Sequence, residues 1–274
     1  MAEHLLEVEN LKMYFKKVNG VFRRKTSYVK AVDNISFTID KKETFGLVGE
    51  SGCGKTTTGR ALIRLYEPTG GTIRYDGEDI TKLPEYKRAK YMSRVFQDPM
   101  TGTAADMQID ENLSIAARRG KKRTLKNGVT KKEREEYREI LKKLDLGLED
   151  RLSSKVGLLS GGQRQAITLI MASLMHPKLL LLDEHTAALD PATAAKVLNI
   201  TNEIVTENNI TTVMVTHNMK DAIRLGNRLI MMYDGKIIYD VSGEEKKNLK
   251  VQDLLDLFAK ASNGEFANDR MMLS

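Results

Sequence analysis

Gly49-Glu50-Ser51-Gly52-Cys53-Gly54-Lys55-Thr56 is a phosphate-binding sequence, with Thr57 following. It fits G-x-x-x-x-G-K-[ST], in which backbone N–H groups wrap a polyphosphate, the lysine reaches its terminal oxygens and the hydroxyl faces a divalent cation. Leu159-Ser160-Gly161-Gly162-Gln163, more than a hundred residues later, has a second helix-start pattern in which two glycines let the backbone approach a phosphate. The two loops read as halves of different sites, which points to a nucleotide hydrolase that works as a dimer.

Leu179-Leu180-Leu181-Leu182 is a continuous apolar run suited to a buried parallel strand, and it delivers Asp183 and Glu184 at its C-terminal end, the edge where α/β sheets bind ligands. Asp183 is expected to hold Mg²⁺, and Glu184 to act as general base on an attacking water. Gln97 ends the short run Val95-Phe96 and is a candidate to ligate Mg²⁺ or the water and to register movement of the following segment. His217, directly after the apolar strand Thr212–Thr216, is placed to contact the γ-phosphate. Cys53 sits at a variable loop position and reads as an inert small residue.

These residues need an α/β scaffold. Short alternating runs at 5–8, 35–39 and 72–75 predict an antiparallel β layer, with 16–30 as a basic hairpin excursion. Continuous apolar runs at 44–48 and 179–182 predict central parallel strands, and Asp234-Gly235 a hairpin turn. From Asp98 to about Met175 the pattern is helical and reads as an inserted subdomain. The expected organisation is one domain over 1–274: residues 1–97 and 176–240 form the core with its β subdomain, 98–175 the helical subdomain, and 241–274 a C-terminal helix and tail.

The 274 residues are 41% apolar with a net charge of +7 and a single cysteine. No apolar run approaches the ~20 residues needed to cross a bilayer, and one cysteine forms no intramolecular disulfide, so a reducing cytosol is the expected home. Basic residues concentrate between Arg118 and Lys132, but no aromatic side chains interleave them, so they read as a solvated loop and no nucleic acid is expected.

In this order, the glycine loop, Gln97, Leu159–Gln163, Asp183-Glu184, Ala188-Leu189-Asp190 and His217 resemble the nucleotide-binding subunit of ATP-binding cassette transporters over nearly the whole chain. The resemblance implies a P-loop NTPase (RecA-like) core sheet with an antiparallel β subdomain and an inserted helical subdomain. It implies ATP and Mg²⁺ as cofactors and a second ATPase subunit, homodimeric or related. The glycine loop of one subunit and Ser160, Gly161, Gly162, Gln163 and Asp190 of the other would enclose each ATP. It further implies transmembrane permease partners, an indirect link to a substrate-binding protein, a place on the cytoplasmic face of the membrane, and stacking of adenine on Phe15 or Tyr14. The lack of fused membrane helices points to import of a peptide, an amino acid or a related small solute. A soluble cassette ATPase and a folded chimera with little turnover are the competing readings. Residues 1 to about 76 resemble oligopeptide and dipeptide importer ATPases and the remainder another importer group, an observation that points to a chimera joined between Pro68 and Asp79.

Overall fold

The computed structural model describes residues 4–19, 25–121 and 128–262. In chain order the elements are β1 (His4–Asn19), β2 (Lys25–Asp40), β3 (Thr44–Val48), α1 (Lys55–Leu62), β4 (Gly70–Tyr75), β5 (Glu78–Asp79), α2 (Glu85–Arg88), β6 (Met92–Val95), α3 (Ile109–Ala117) and α4 (Lys131–Lys142). A 3₁₀ turn (Val156–Leu158) leads to α5 (Gly161–Ser173), β7 (Leu179–Asp183), α6 (Pro191–Glu207), β8 (Thr211–Val215), α7 (Met219–Arg224), β9 (Arg228–Tyr233), β10 (Lys236–Ser242), α8 (Gly243–Asn248) and α9 (Val251–Ala261). The chain forms two compact units, one from residues 1–88 with 211–274 and the other from 89–210. The expected tail beyond Ser262 and residues 122–127 of the basic stretch lie outside the described residues.

The first unit holds an antiparallel sheet in the order β2-β1-β4-β5. Leu6, Val8, Leu11 and Met13 are buried while Glu9 and Lys16 are exposed. Both strands run much longer than their apolar alternation, pairing out to Asn19 and Lys25. Lys16, Lys17 and, on the other strand, residues 26–30 are exposed, so nothing enforces there the alternation by which sequence reveals a strand. Register shifts near Leu11, with Asn10 and Asn34 at φ of 50° and 62°, bend it as bulges do. A second set of strands has β3 between β8 and β9, parallel to both, with β10 antiparallel on β9. The β9–β10 turn is the expected Asp234-Gly235, both with positive φ, as a type I′ hairpin requires.

Where the first unit holds the glycine loop, the packing is tight. Gly235 donates its N–H to the Cys53 carbonyl at 3.0 Å, and its own carbonyl accepts from the Asp33 N–H at 2.8 Å. A side chain at Gly54, which has φ of 99°, would overlap the Ala31 carbonyl oxygen. Fully buried Arg88 donates to the carbonyls of Leu62, Ile80, Thr81 and Leu83, joining the end of α1 to the loop after β5.

In the second unit β6 and β7 run parallel, from Met92 beside Leu179 to Val95 beside Leu182. Helix α4 buries Tyr137 and Leu141, one turn apart, and turns its charged residues outward. Helix α5 is buried along most of its length. Just past β7, His185 is buried against α6. The Thr201 hydroxyl donates to the Val197 carbonyl at 2.8 Å, so it accepts from His185 Nε2–H at 3.1 Å. Burial pushes the imidazole pKa down from 6.5 to about 4, and the ring is neutral in the fold.

The unfolded chain takes up a proton on His185 below pH 6.5 that the native state excludes until about pH 4, so stability from this residue falls with falling pH through that window. Going from pH 7 to 5.5 is expected to cost about 1 kcal/mol from this group. Urea unfolding at the two pH values checks this, with His185→Asn losing that part of the difference.

Candidate functional site

Strand β3 is buried on both faces and ends at Val48, from which the glycine loop passes into α1. Gly49 has φ of 150°, Gly52 of 86° and Gly54 of 99°, backbone conformations that glycine tolerates best. The Cys53 N–H closes a turn on the Glu50 carbonyl at 3.2 Å. Lys55 is only 3% exposed and curls back so that Nζ donates to the Glu50 carbonyl at 3.1 Å. Gly54 is the N-cap of α1 and has no side chain with which to bond the first-turn N–H groups. A helix start of this kind, with a lysine folded over it, is built for an anion. Ser51 and Gly52 are exposed, Thr56 and Thr57 half-buried. Burial raises the Cys53 thiol pKa, so it stays protonated and a poor nucleophile.

His217 belongs to the same unit. Strands β3 and β8 run parallel, Leu47 beside Val215, and the Thr216 N–H donates to the Leu47 carbonyl at 3.1 Å. His217 therefore leaves the sheet at the edge from which the glycine loop leaves it.

Between the two aromatic candidates the environments differ. The Tyr14 hydroxyl donates to the Asp33 carboxylate, and Lys30 Nζ lies 5.4 Å from its ring centre. The hydroxyl bond, with Lys30 at 3.2 Å, holds the Asp33 carboxyl below its ordinary pKa. Phe15 is 37% exposed and packs edge-on against Tyr66, ring centres 5.6 Å apart at 87°. Arg60, on α1, donates to the Tyr66 hydroxyl at 3.2 Å. Phe15 thus presents an apolar face supported from the glycine-loop helix, whereas Tyr14 is engaged in a polar cluster.

In the second unit, Asp183 is 2% exposed at the end of β7, and Glu184 follows, half-buried, with φ of 48°. Asp183 Oδ2 accepts from Arg94 Nη2 at 2.7 Å. Because β6 and β7 are parallel, exposed Gln97, two residues past β6, leaves at the same edge as Asp183. The second loop caps α5 with its own side chains. Ser160 Oγ accepts from the Gln163 N–H at 3.3 Å, Gln163 Oε1 accepts from the Ser160 N–H at 3.2 Å, and Gln163 Nε2 donates to the Leu146 carbonyl at 3.2 Å. Gly161 is exposed, whereas a side chain at Gly162 would collide with Thr193 of α6. Asp190 is the N-cap of α6, accepting from the Thr193 N–H at 3.0 Å, and these hydrogen bonds lower its pKa.

Arg60, Tyr66 and Arg94 contribute to these arrangements without belonging to any of the motifs, and so does Gln165, whose Nε2 donates to the Phe96 carbonyl beside Gln97 at 3.0 Å. Arg94 carried one readable signal, a charge inside a strand whose other three residues are buried. The others depend on long-range packing that leaves no local pattern. Among the described residues no three His, Cys, Asp or Glu side chains gather as a metal cluster. A nucleotide-bound Mg²⁺ needs none, since phosphates and waters supply most of its ligands. The Thr56 hydroxyl and the Asp183 carboxylate are oxygen donors of the type it takes.

Residues 32–187 match the family model described as ABC transporter. The chain is 43% identical to the tyrosine transport ATP-binding protein of Clostridioides difficile over 94% of its own length and the whole of that protein. It is 37% identical to the oligopeptide transport ATP-binding protein AppF of Bacillus subtilis, over 86% of this chain and 71% of AppF. The ATP-binding cassette MJ0796, in a dimeric post-hydrolysis state bound to ADP and Pi, superposes with a TM-score of 0.72 at 26% identity, covering 86% of this chain and 98% of that one. MJ1267 in its ADP conformation gives 0.74 at 25% identity, covering 94% and 99%. The chimera expectation finds no support, because one natural relative aligns along 94% of the chain, through both sides of residues 68–79. The chain belongs to the ABC transporter family, as an ATPase subunit with the P-loop cassette fold.

Proposed function

We propose that this ATPase powers a membrane importer for an amino acid, a peptide or a related small solute, at the cytoplasmic face of the membrane. The names of its relatives, which specify tyrosine and oligopeptide transport, support that cargo class. Permease subunits would carry the substrate path, and no helix among the described residues is long and apolar enough to cross a membrane. The observation that carries the nucleotide reading is the nearly fully buried Lys55 ammonium folded onto the glycine loop at the uncapped start of α1.

In this reading, backbone N–H groups of Gly49–Thr57 wrap the phosphates and Lys55 neutralises the β/γ oxygens. Phe15 stacks on adenine, supported by Tyr66. Thr56, Asp183 and Gln97 are the groups that would hold Mg²⁺, whose chemistry is to offset charge building on the phosphates. Glu184 accepts the proton of the attacking water, and His217 contacts the γ-phosphate. Ser160, Gly161, Gly162, Gln163 and Asp190 act on the ATP held by a second subunit, the helix start at α5 supplying N–H groups to its γ-phosphate. Dimeric cassette structures among the relatives support this arrangement. ATP closes the pair and hydrolysis reopens it, and the permeases follow.

Glu184→Gln is expected to keep ATP binding and lose about 10²–10⁴-fold in turnover, the range for a general base; unchanged steady-state phosphate release would remove Glu184 from that role. Lys55→Ala should weaken nucleotide binding and hydrolysis together, measured by fluorescent-nucleotide titration, and tight binding retained in the variant contradicts the phosphate assignment. Phe15→Ala is expected to lower ATP affinity by about 5–100-fold, as loss of one base stack does. Inorganic triphosphate should bind the variant as it binds the parent, and Tyr14→Phe should cost less than Phe15→Ala. Co-purification with candidate permease subunits tests the transport reading.

A further inference from the structure

Strand β6 reads Met92-Ser93-Arg94-Val95, and three of its four residues are buried. A guanidinium in such a strand is retained only with a partner, and it cannot shed its charge at any physiological pH. Here the partner is the carboxylate at the end of β7. Arg94 Nη2 donates to Asp183 Oδ2 at 2.7 Å, with the two side chains only 12% and 3% exposed. The guanidinium carbon also lies 4.4 Å from the centre of the Phe96 ring, within cation–π range. Phe96 is held in turn, since its carbonyl accepts from Gln165 Nε2 at 3.0 Å and Gln165 is fully buried on α5. The positive charge is therefore clamped against Asp183 by residues that immediately precede Gln97.

We propose that Arg94 is a positioning residue that sets the magnesium requirement of this ATPase by serving as a built-in counter-cation on Asp183. The inference rests on the assignment of Asp183 to the metal. A divalent ion approaching that carboxylate must share it with, or displace, a charge-assisted hydrogen bond in a shielded setting where like charges repel strongly. Magnesium without a nucleotide brings no compensating anion and is disfavoured. Magnesium carried in on ATP brings its phosphates with it. Arg94 thus ties metal entry to nucleotide entry. The clamp on Phe96 strengthens the effect, because an arginine already held in place loses less freedom in guarding the carboxylate.

The test titrates MgCl₂ against binding of a fluorescent ATP analogue to the full chain carrying Glu184→Gln, so that turnover does not intervene. Thermal unfolding of every variant is followed alongside. Adding R94M is expected to lower the half-saturating Mg²⁺ concentration about tenfold, the scale of one charge-assisted hydrogen bond. R94K should restore most of the parent requirement, because it keeps the charge, and F96L should lower the requirement by a smaller factor than R94M. Should R94M unfold early, F96L and R94K carry the comparison. An unchanged or increased Mg²⁺ requirement in both R94M and F96L, or an R94K value as low as that of R94M, overturns the proposal. Asp183→Asn separates this from failure of the underlying reading. It should raise the requirement and abolish the effect of R94M, and if it leaves the parent requirement unchanged, the metal assignment itself is overturned.

Discussion

The glycine loop is wedged between strand β2 and the β9–β10 turn, and the shape of the loop depends on that wedge. On one side the Ala31 carbonyl leaves no room for any side chain at Gly54. On the other, the Gly235 N–H holds the Cys53 carbonyl while its carbonyl holds the Asp33 N–H. A loop of small residues with positive φ would otherwise sample many conformations, at a cost of about 1–2 kcal/mol per residue to fix. Here that ordering is supplied by the fold before any ligand arrives. The turn that does it lies some 180 positions away in sequence from the loop, so the loop's ordering depends on strands distant in sequence.

The two units follow a common scheme. In each, parallel strands bring the candidate site residues to one edge: β3 and β8 bring the glycine loop and His217, and β6 and β7 bring Gln97 and the Asp183-Glu184 pair. Other residues then fix these candidates in place. Arg60 and Tyr66 support Phe15, His185 anchors the segment after Glu184 to α6, and Gln165 holds the backbone beside Gln97. Most of these supports are polar side chains bonded to backbone or to one another in buried surroundings, where a hydrogen bond fixes geometry more strictly than apolar contact does.

Much of the fold was legible in sequence because its signals are local. Leu179–Leu182 announces a doubly covered strand, Asp234-Gly235 a tight hairpin, and the glycine loop a strand-to-helix passage, and each stands where expected. The long ribbon of β1 and β2 was only partly legible, since solvated lysines and threonines carry no period. Arg94 shows in sequence only as a charge inside an otherwise buried strand, and Gln165 not at all, because what each does depends on which distant residue it faces. Similarly, no pattern distinguishes Phe15 from Tyr14, and the difference emerges only when Tyr14 is seen bonded to Asp33 and Phe15 resting on Tyr66. The two-ancestry reading on either side of residues 68–79 rests on local motifs, and a relative that aligns along 94% of the chain gives it no support.

Gly162 gives the second loop a meaning that phosphate chemistry alone does not supply. Its missing side chain is the space occupied by the Thr193 methyl, so α5 and the start of α6 approach as closely as they do because this position is bare. The Thr193 N–H is also the one that Asp190 caps. Any side chain at Gly162 would overlap that methyl, so either the Thr193 side chain turns away or the first turn of α6, which Asp190 caps, shifts. A substitution at this glycine is therefore felt first where two helices of the same polypeptide meet, whatever lies on the other side of the loop.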